Sequence, residues 1–284
     1  MSSTVNPRGN AAVKIFMVVV CVYFLIPFWW LMVAATKSTD DLFGSAVLWF
    51  AHPASIFDNL GQLFTQSDGA YLRWLGNTIL YSLAGGVGST AVATFAGYAF
   101  AKFRFPGRRF LFAALLGMIM VPSTALVIPT YLLLSKLHMI DTVWAVILPS
   151  LLNPFGVYLV RVYVQESVPD ELLEASRIDG AGEFGTFARV VLPVLKPALV
   201  TVLLFSMVAT WNNFFLPLVM LSSSQLYPLT VGLQSWYAAA MIQSGTNLFN
   251  LVITGALVSI VPLVVTFLLL QRYWRGGLTM GSLK

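Results

Sequence analysis

The sequence predicts an all-α, polytopic membrane protein with six transmembrane helices. Three observations carry that expectation. Of the 284 residues, 58% are hydrophobic and only 10% are charged, whereas soluble domains run near roughly 45–50% apolar and about 25% charged. The mean hydropathy is +0.83. Six stretches contain no Asp, Glu, Lys or Arg, at about 15–36, 74–101, 110–135, 142–160, 198–221 and 249–271. Each approaches or exceeds the roughly 20 apolar residues that cross a bilayer core.

The first stretch follows Lys14 and ends near "VAA" at 33–35, as a secretory signal would. Its apolar run is too long for the roughly 7–15 residues of a signal core, so a retained anchor is expected. Cys21 is the single cysteine and lies inside it, so there is no disulfide framework. The segment from 37 to 73 reads as a long external loop, with "NLGQLF" as a short interfacial piece. The second span carries small residues at four-residue spacing, Gly85, Ser89, Ala93, Gly97 and Ala101. Such a seam lets helices approach closely in lipid, within this chain or against another subunit. Prolines at 27, 122, 129, 149, 154, 217 and 262 fall inside spans. Each removes a helical hydrogen bond and favours a kink. Backbone groups freed at that depth must be buried in protein or face a wet cavity, which suits kinked helices around a pathway. The loop from 222 to 248 is uncharged and holds Trp236 and Tyr237 at the expected headgroup level. It reads as a short re-entrant or surface helix. The whole chain, 1–284, is read as one membrane domain.

Charge asymmetry sets the orientation. With the N-terminus in the cytoplasm, thirteen of the sixteen Lys and Arg fall on that side, and only Lys37, Arg73 and Lys136 remain outside. Both termini are then cytoplasmic. The net charge of +5 reflects topology and anionic membrane lipid, and no basic run interleaved with aromatics points to nucleic acid. No ionisable side chain sits inside a span away from its ends, and His52 and His138 fall in external loops. Proton-coupled carriers usually keep an intramembrane carboxylate or histidine, so no proton relay is expected. No G-x-x-x-x-G-K-[ST] loop occurs, so ATP chemistry would belong to a partner. No catalytic or metal cluster is expected.

One stretch differs from the rest. Six of the eleven acidic residues (Glu166, Asp170, Glu171, Glu174, Asp179, Glu183) lie within 18 positions. Val168-Pro169-Asp170 reads as a helix start, with acids in its positive first turn. Asp179-Gly180 reads as its end, where glycine accepts the left-handed conformation. A helix lying on lipid would be rich in Lys and Arg; this acid-rich element, too small to fold alone, suits the groove of another protein.

Within the segment at about 166–197, "EASRIDGAGEFGTFARVVLPVLKPAL" resembles the EAA loop of ABC importer permeases. Glu174, Ala175, Asp179, Gly180, Ala181, Leu192 and Pro193 match in type and spacing, and Ser176 replaces the second alanine. "NTILYSLAGG", "GYAFAKFRFPGRR", "WNNFFLPLVML" and the tail "RGGLTMGSLK" resemble the carbohydrate-uptake class, similar to its maltose-type G subunits. The resemblance implies a cytoplasmic coupling helix seated in an ATPase subunit, with Glu174, Ala175, Ser176, Asp179, Gly180, Ala181 and Gly182 at the contact. It implies a prokaryotic cell membrane, a related permease subunit, two ATPase subunits that bind ATP and magnesium, and an external solute-binding protein. This chain itself would carry no cofactor. In the maltose system the tail also reaches between the ATPase subunits, and this chain stops at Lys284, where relatives often add a glycine.

A neutral sugar, a di- or oligosaccharide, is the expected substrate. Asn153, Trp211, Asn212 and Asn213 are candidates for lining its path, because amides and aromatic faces suit sugars. For each the alternative is interhelical packing. A self-contained facilitator or sodium-coupled carrier is the competing reading, as is a permease for a non-sugar solute. A membrane enzyme lacks the clustered side chains it would need.

Overall fold

The computed structural model describes residues 7–242 and 248–275, and among them there is no strand. Residues 243–247 of the uncharged loop and the tail from 276 lie outside the described residues. Among the described residues five helices are long and apolar enough to cross a membrane, and a sixth span is completed if a bent pair counts as one. The chain divides into two compact units, residues 1–71 with 233–260 and residues 72–232 with 261–284.

The first unit begins with α1 (Pro7–Ala35), whose apolar residues between Val13 and Met32 are nearly all exposed. It is a helix apolar all round, as a membrane span is. The short α2 (Thr39–Gly44) starts at Ser38, whose hydroxyl accepts from the Asp41 N–H. The expected external loop is largely helical: α3 (Ile56–Lys102) takes in "NLGQLF" and is interrupted only at Gln66–Gly69. Ser67, Asp68 and Gly69 hold positive φ there. Small polar residues and glycine tolerate that conformation, so the break falls where it costs least. Lys37 is also placed differently from a surface loop charge, being only 1% exposed. Its Nζ donates to the Ala46 carbonyl at 2.6 Å, and its own carbonyl accepts from Asn59 and Asn250, each at 2.9 Å. Tyr71 donates to the Gly255 carbonyl at 2.8 Å on α13 (Leu248–Arg275).

The second unit holds the rest of α3. The third expected span is not straight: α4 (Arg108–Ile119) and the segment Ser123–Lys136, containing α5 (Val127–Lys136), meet at 104°. Pro122 stands in the break and cannot donate to continue the helix. α6 (Trp144–Ser150) and α7 (Pro154–Ser167) form the next span. The fifth span is shifted from the expected 198–221. The helical stretch that contains it runs from Glu183 to Trp211, ending with α10 (Leu192–Trp211), and α11 (Phe215–Met220) is a separate short helix. Asn212 turns its amide onto the Val208 carbonyl at 2.8 Å, a local bond of the kind that competes with helix continuation. α12 (Leu229–Ile242) occupies the uncharged loop.

The small-residue seam of α3 faces helices of its own chain. A Cβ on Gly85 would lie 3.0 Å from Ser150 Cβ, and one on Gly97 would lie 2.7 Å from Val160 Cβ and 3.0 Å from Arg161 N. Ser89 and Ser206 share a hydrogen bond of 3.2 Å. At the other end of this unit, the segment 222–227 is pinned. Trp74, Asn77 and Tyr81 donate to the carbonyls of Ser224, Gln225, Leu226 and Tyr227. Asp141 accepts from the backbone of Ser222 and Ser223 and from the Ser223 hydroxyl, and these bonds, the hydroxyl's foremost, hold its carboxyl below the ordinary carboxylate range.

Because backbone as well as side chain opposes Gly97, Gly97→Val should destabilise by about 1–3 kcal/mol through overpacking. Gly117→Ala, whose Cβ meets nothing within 4 Å, should stay within about 0.5 kcal/mol. Thermal unfolding of the detergent-solubilised protein checks both.

Candidate functional site

The acid-rich segment folds as a helix, a turn and a short helix between α7 and α10. Pro169 is extended and stands before α8 (Asp170–Ile178), where its missing N–H costs nothing. Asp170 in the first turn pairs with Lys102 at 2.6 Å, tying α8 to the end of α3. The hydrogen bond and charge of Lys102, with Arg104 and Arg177 adding to them, hold the Asp170 carboxyl below its usual range.

The helix ends in a Schellman turn. Ala181 N donates to Ser176 O and Gly180 N to Arg177 O, both at 3.0 Å, and Gly180 sits at φ +80°. An L-residue with a Cβ pays about 1–2 kcal/mol there, so glycine is the residue the turn requires. α9 (Glu183–Thr186) follows. Arg177 reaches across to Glu183 at 2.9 Å, and Ser176 Oγ meets Thr186 Oγ1 at 2.9 Å. Both hydroxyl residues are buried. Serine at the position of the motif's second alanine therefore ties the two limbs together.

One face of this element is rooted in the bundle. Val168, Leu173 and Phe187 join Tyr98, Val157, Val160, Val164, Val191, Leu195 and Val202 in one buried cluster. The Phe187 ring stacks on Phe95 with centroids 5.1 Å apart and tilts against Tyr98 at 5.0 Å. Residues Phe187–Val191 form a wide π-type turn that leads into α10 through Leu192 and Pro193. The opposite face is open. Glu174, Ala175, Asp179, Gly180 and Gly182 are exposed, Ala181 is half-buried, and Ile178 and Phe184 are 87% and 76% exposed. Two large apolar side chains are thus held out on a polar, structured loop. Phe184 was not singled out from the sequence; an aromatic in a glycine-rich turn carries no periodicity to assign it a face.

The four candidate path residues make different contacts. Asn153 caps α7: its Oδ1 accepts from Gly156 N at 2.8 Å and its Nδ2 donates to Ser206 Oγ at 2.9 Å. With the Ser89 contact, this links α3, α7 and α10. Trp211 lines a groove of about 280 Å³ with Ile79, Ser82, Met207, Pro262 and Thr266 among its walls. The groove is mostly apolar, and Thr266 has its hydroxyl turned onto the Pro262 carbonyl. Asn212 and Asn213 lie past the end of α10; Asn212 is exposed, and the Asn213 carbonyl accepts from Thr230. Among the described residues no cluster of His, Cys, Asp and Glu could hold a metal ion.

Helices of membrane-crossing length, joined to an ordered loop with a rooted face and an open face, define an all-α, multi-pass membrane protein. Residues 89–275 match the family described as binding-protein-dependent transport system inner membrane component, and the chain belongs to that family of ABC importer permeases. It is similar to the arabinooligosaccharides transport system permease protein AraQ of Halalkalibacterium halodurans, at 34% identity with 89% of each chain covered. The maltodextrin transport system permease protein MdxG of Bacillus subtilis is 33% identical, with 80% of each chain covered. The lactose transport system permease protein LacG of Rhizobium radiobacter is 27% identical, covering 92% of this chain and 91% of that one. Among solved structures, a chain of a bacterial ABC transporter involved in the import of the acidic polysaccharide alginate superposes with a TM-score of 0.82. It covers 96% of this chain and 99% of that one at 21% identity, a likeness of fold.

Ser176→Ala should cost about 1–2 kcal/mol, because Thr186 Oγ1 is left buried without its partner. The double variant Ser176→Ala/Thr186→Val should recover most of that loss, as read by thermal unfolding in detergent.

Proposed function

We propose that this chain forms half of the translocation pathway for a neutral di- or oligosaccharide in an ABC importer, driven by a separate ATPase. A related permease subunit supplies the other half. Two ATPase subunits bind ATP and magnesium on the cytoplasmic side, and an external solute-binding protein delivers the sugar. Both termini lie in the cytoplasm.

The observation that carries this reading is the two-faced α8–α9 element. Its outer face presents Ile178 and Phe184 beside Glu174 and Asp179, which suits a groove on a protein rather than anionic lipid. Its inner face shares a buried cluster with α3, α7 and α10. A partner that closes on ATP and grips the outer face therefore moves α7 and α10 as well. Alternating access follows as a shift between two packed arrangements of the bundle. The sugar is supported by the oligosaccharide permeases among the similar proteins and by the lack of ionisable groups deep in the spans, which suits an uncharged solute.

Gly180→Pro conflicts with φ +80° and should disrupt the turn, because proline fixes φ near about −65°. Glu174→Lys reverses a charge on the open face, and Phe184→Ser removes an apolar anchor. Each should reduce sugar uptake and sugar-stimulated ATP hydrolysis of the reconstituted complex by about tenfold or more, with the chain still inserted. Uptake and stimulation unchanged in all three would overturn the docking role.

A further inference from the structure

Between α4 and α7 the second unit holds a cation that the coupling element does not use. The Arg161 guanidinium lies 4.0 Å from the centroid of the Phe112 ring. Its Nε is shut off from solvent with no acceptor, and among the described residues no carboxylate or carbonyl is hydrogen-bonded to the guanidinium. A second cation stands close enough for its charge to act on the first. Arg108, the first residue of α4, donates to the carbonyls of Phe103 at 3.1 Å and Ala101 at 3.4 Å. Those bonds hold its position without neutralising it. Arg104 and Arg109 are exposed on either side of it in sequence. The Tyr158 phenol, one turn back on α7, is partly exposed and also interacts with the Arg161 charge. Asp170, the acid near this end of α3, is already paired with Lys102.

Arg161 is half-buried, but an Nε shut off from water without an acceptor is costly, and a like charge beside the guanidinium adds to the cost. A ring face returns only part of that. None of the described residues supplies an anion there, so one bound from outside them relieves that cost. Depth indicates which anion. Arg161 lies six residues before the end of α7, about 9 Å along the axis at the usual helical rise, near where a span meets the headgroups. Basic pockets between helices at that level suit anionic lipid, and the planar guanidinium fork matches phosphate oxygens.

We propose that Arg161 and Arg108, with Phe112 as the floor and Tyr158 at the rim, form a binding site for the phosphate of an anionic phospholipid headgroup. The leaflet follows from the orientation proposed above; the site itself does not depend on it.

The test uses the assembled transporter, purified from membranes, with bound phosphatidylglycerol and phosphatidylcholine counted by native mass spectrometry. The wild type should retain phosphatidylglycerol in preference to phosphatidylcholine. Arg161→Gln should lower that retention by about tenfold, the loss expected for a charge-assisted contact. Arg161→Lys keeps the charge but not the fork and should fall between them. Arg108→Gln should weaken retention in the same direction, and decides the matter with Arg161→Lys if Arg161→Gln does not assemble. Millimolar inorganic phosphate should leave the lipid in place. Equal retention in the wild type and the variants, equal retention of phosphatidylcholine, or displacement by inorganic phosphate would each overturn the proposal. Lipid retention requires no transport, so its outcome is separate from that of the sugar reading.

Discussion

Close approach along one face of α3 is the constraint on which the rest of the second unit depends. In lipid there is little hydrophobic drive between helices, so association rests on shape and a few hydrogen bonds. At Gly97 the neighbouring α7 comes near enough that a single added carbon would touch both side chain and backbone. About two helical turns earlier along the same face, Ser89 and Ser206 meet directly, and Asn153 joins them. These contacts fix α7 and α10 relative to α3. Because α8 and α9 connect α7 to α10, the same contacts set where the exposed element stands.

The acids of that element divide into two groups by what they touch. Asp170 and Glu183 are engaged within the chain, by Lys102 and Arg177, and they shape the loop. Glu174 and Asp179 are exposed on the outer face. The density of carboxylates in the sequence thus mixes two effects: some hold the loop's own geometry and others give its surface a sign. Arg177 belongs to the first group, since it both bridges to Glu183 and supplies a carbonyl to the turn at Gly180.

An all-α fold with five spans, six if the bent pair is one, and the helix-turn-helix between the fourth and fifth were legible in the sequence, because absence of charge and a local glycine signal are both short-range. Asp179-Gly180 foretold the left-handed turn that is found. The path of the backbone within charge-free runs was not legible. Pro122 marked a kink within 110–135 but not that the chain turns there by 104°, and counting uncharged residues carried the fifth span past Asn212, although α10 stops at Trp211. In both places a breaker residue was visible, but composition alone does not say whether a helix bends or ends. Partners far apart in the chain were also hidden. Nothing local pairs Asn153 with Ser206, and nothing local separates the buried Phe187 from the exposed Phe184 three residues earlier.

Lys37 shows a different limit of reading charge from sequence. Topology is decided while segments are being inserted, when a flanking lysine is still wet and counts as a sorting signal. In the finished fold that ammonium has been withdrawn from the surface and handed to a main-chain oxygen, while two asparagines brace the lysine's own carbonyl. A lysine read from the sequence as one of three external charges is thus an internal strut in the fold, and a tally taken from the mature surface would no longer register it.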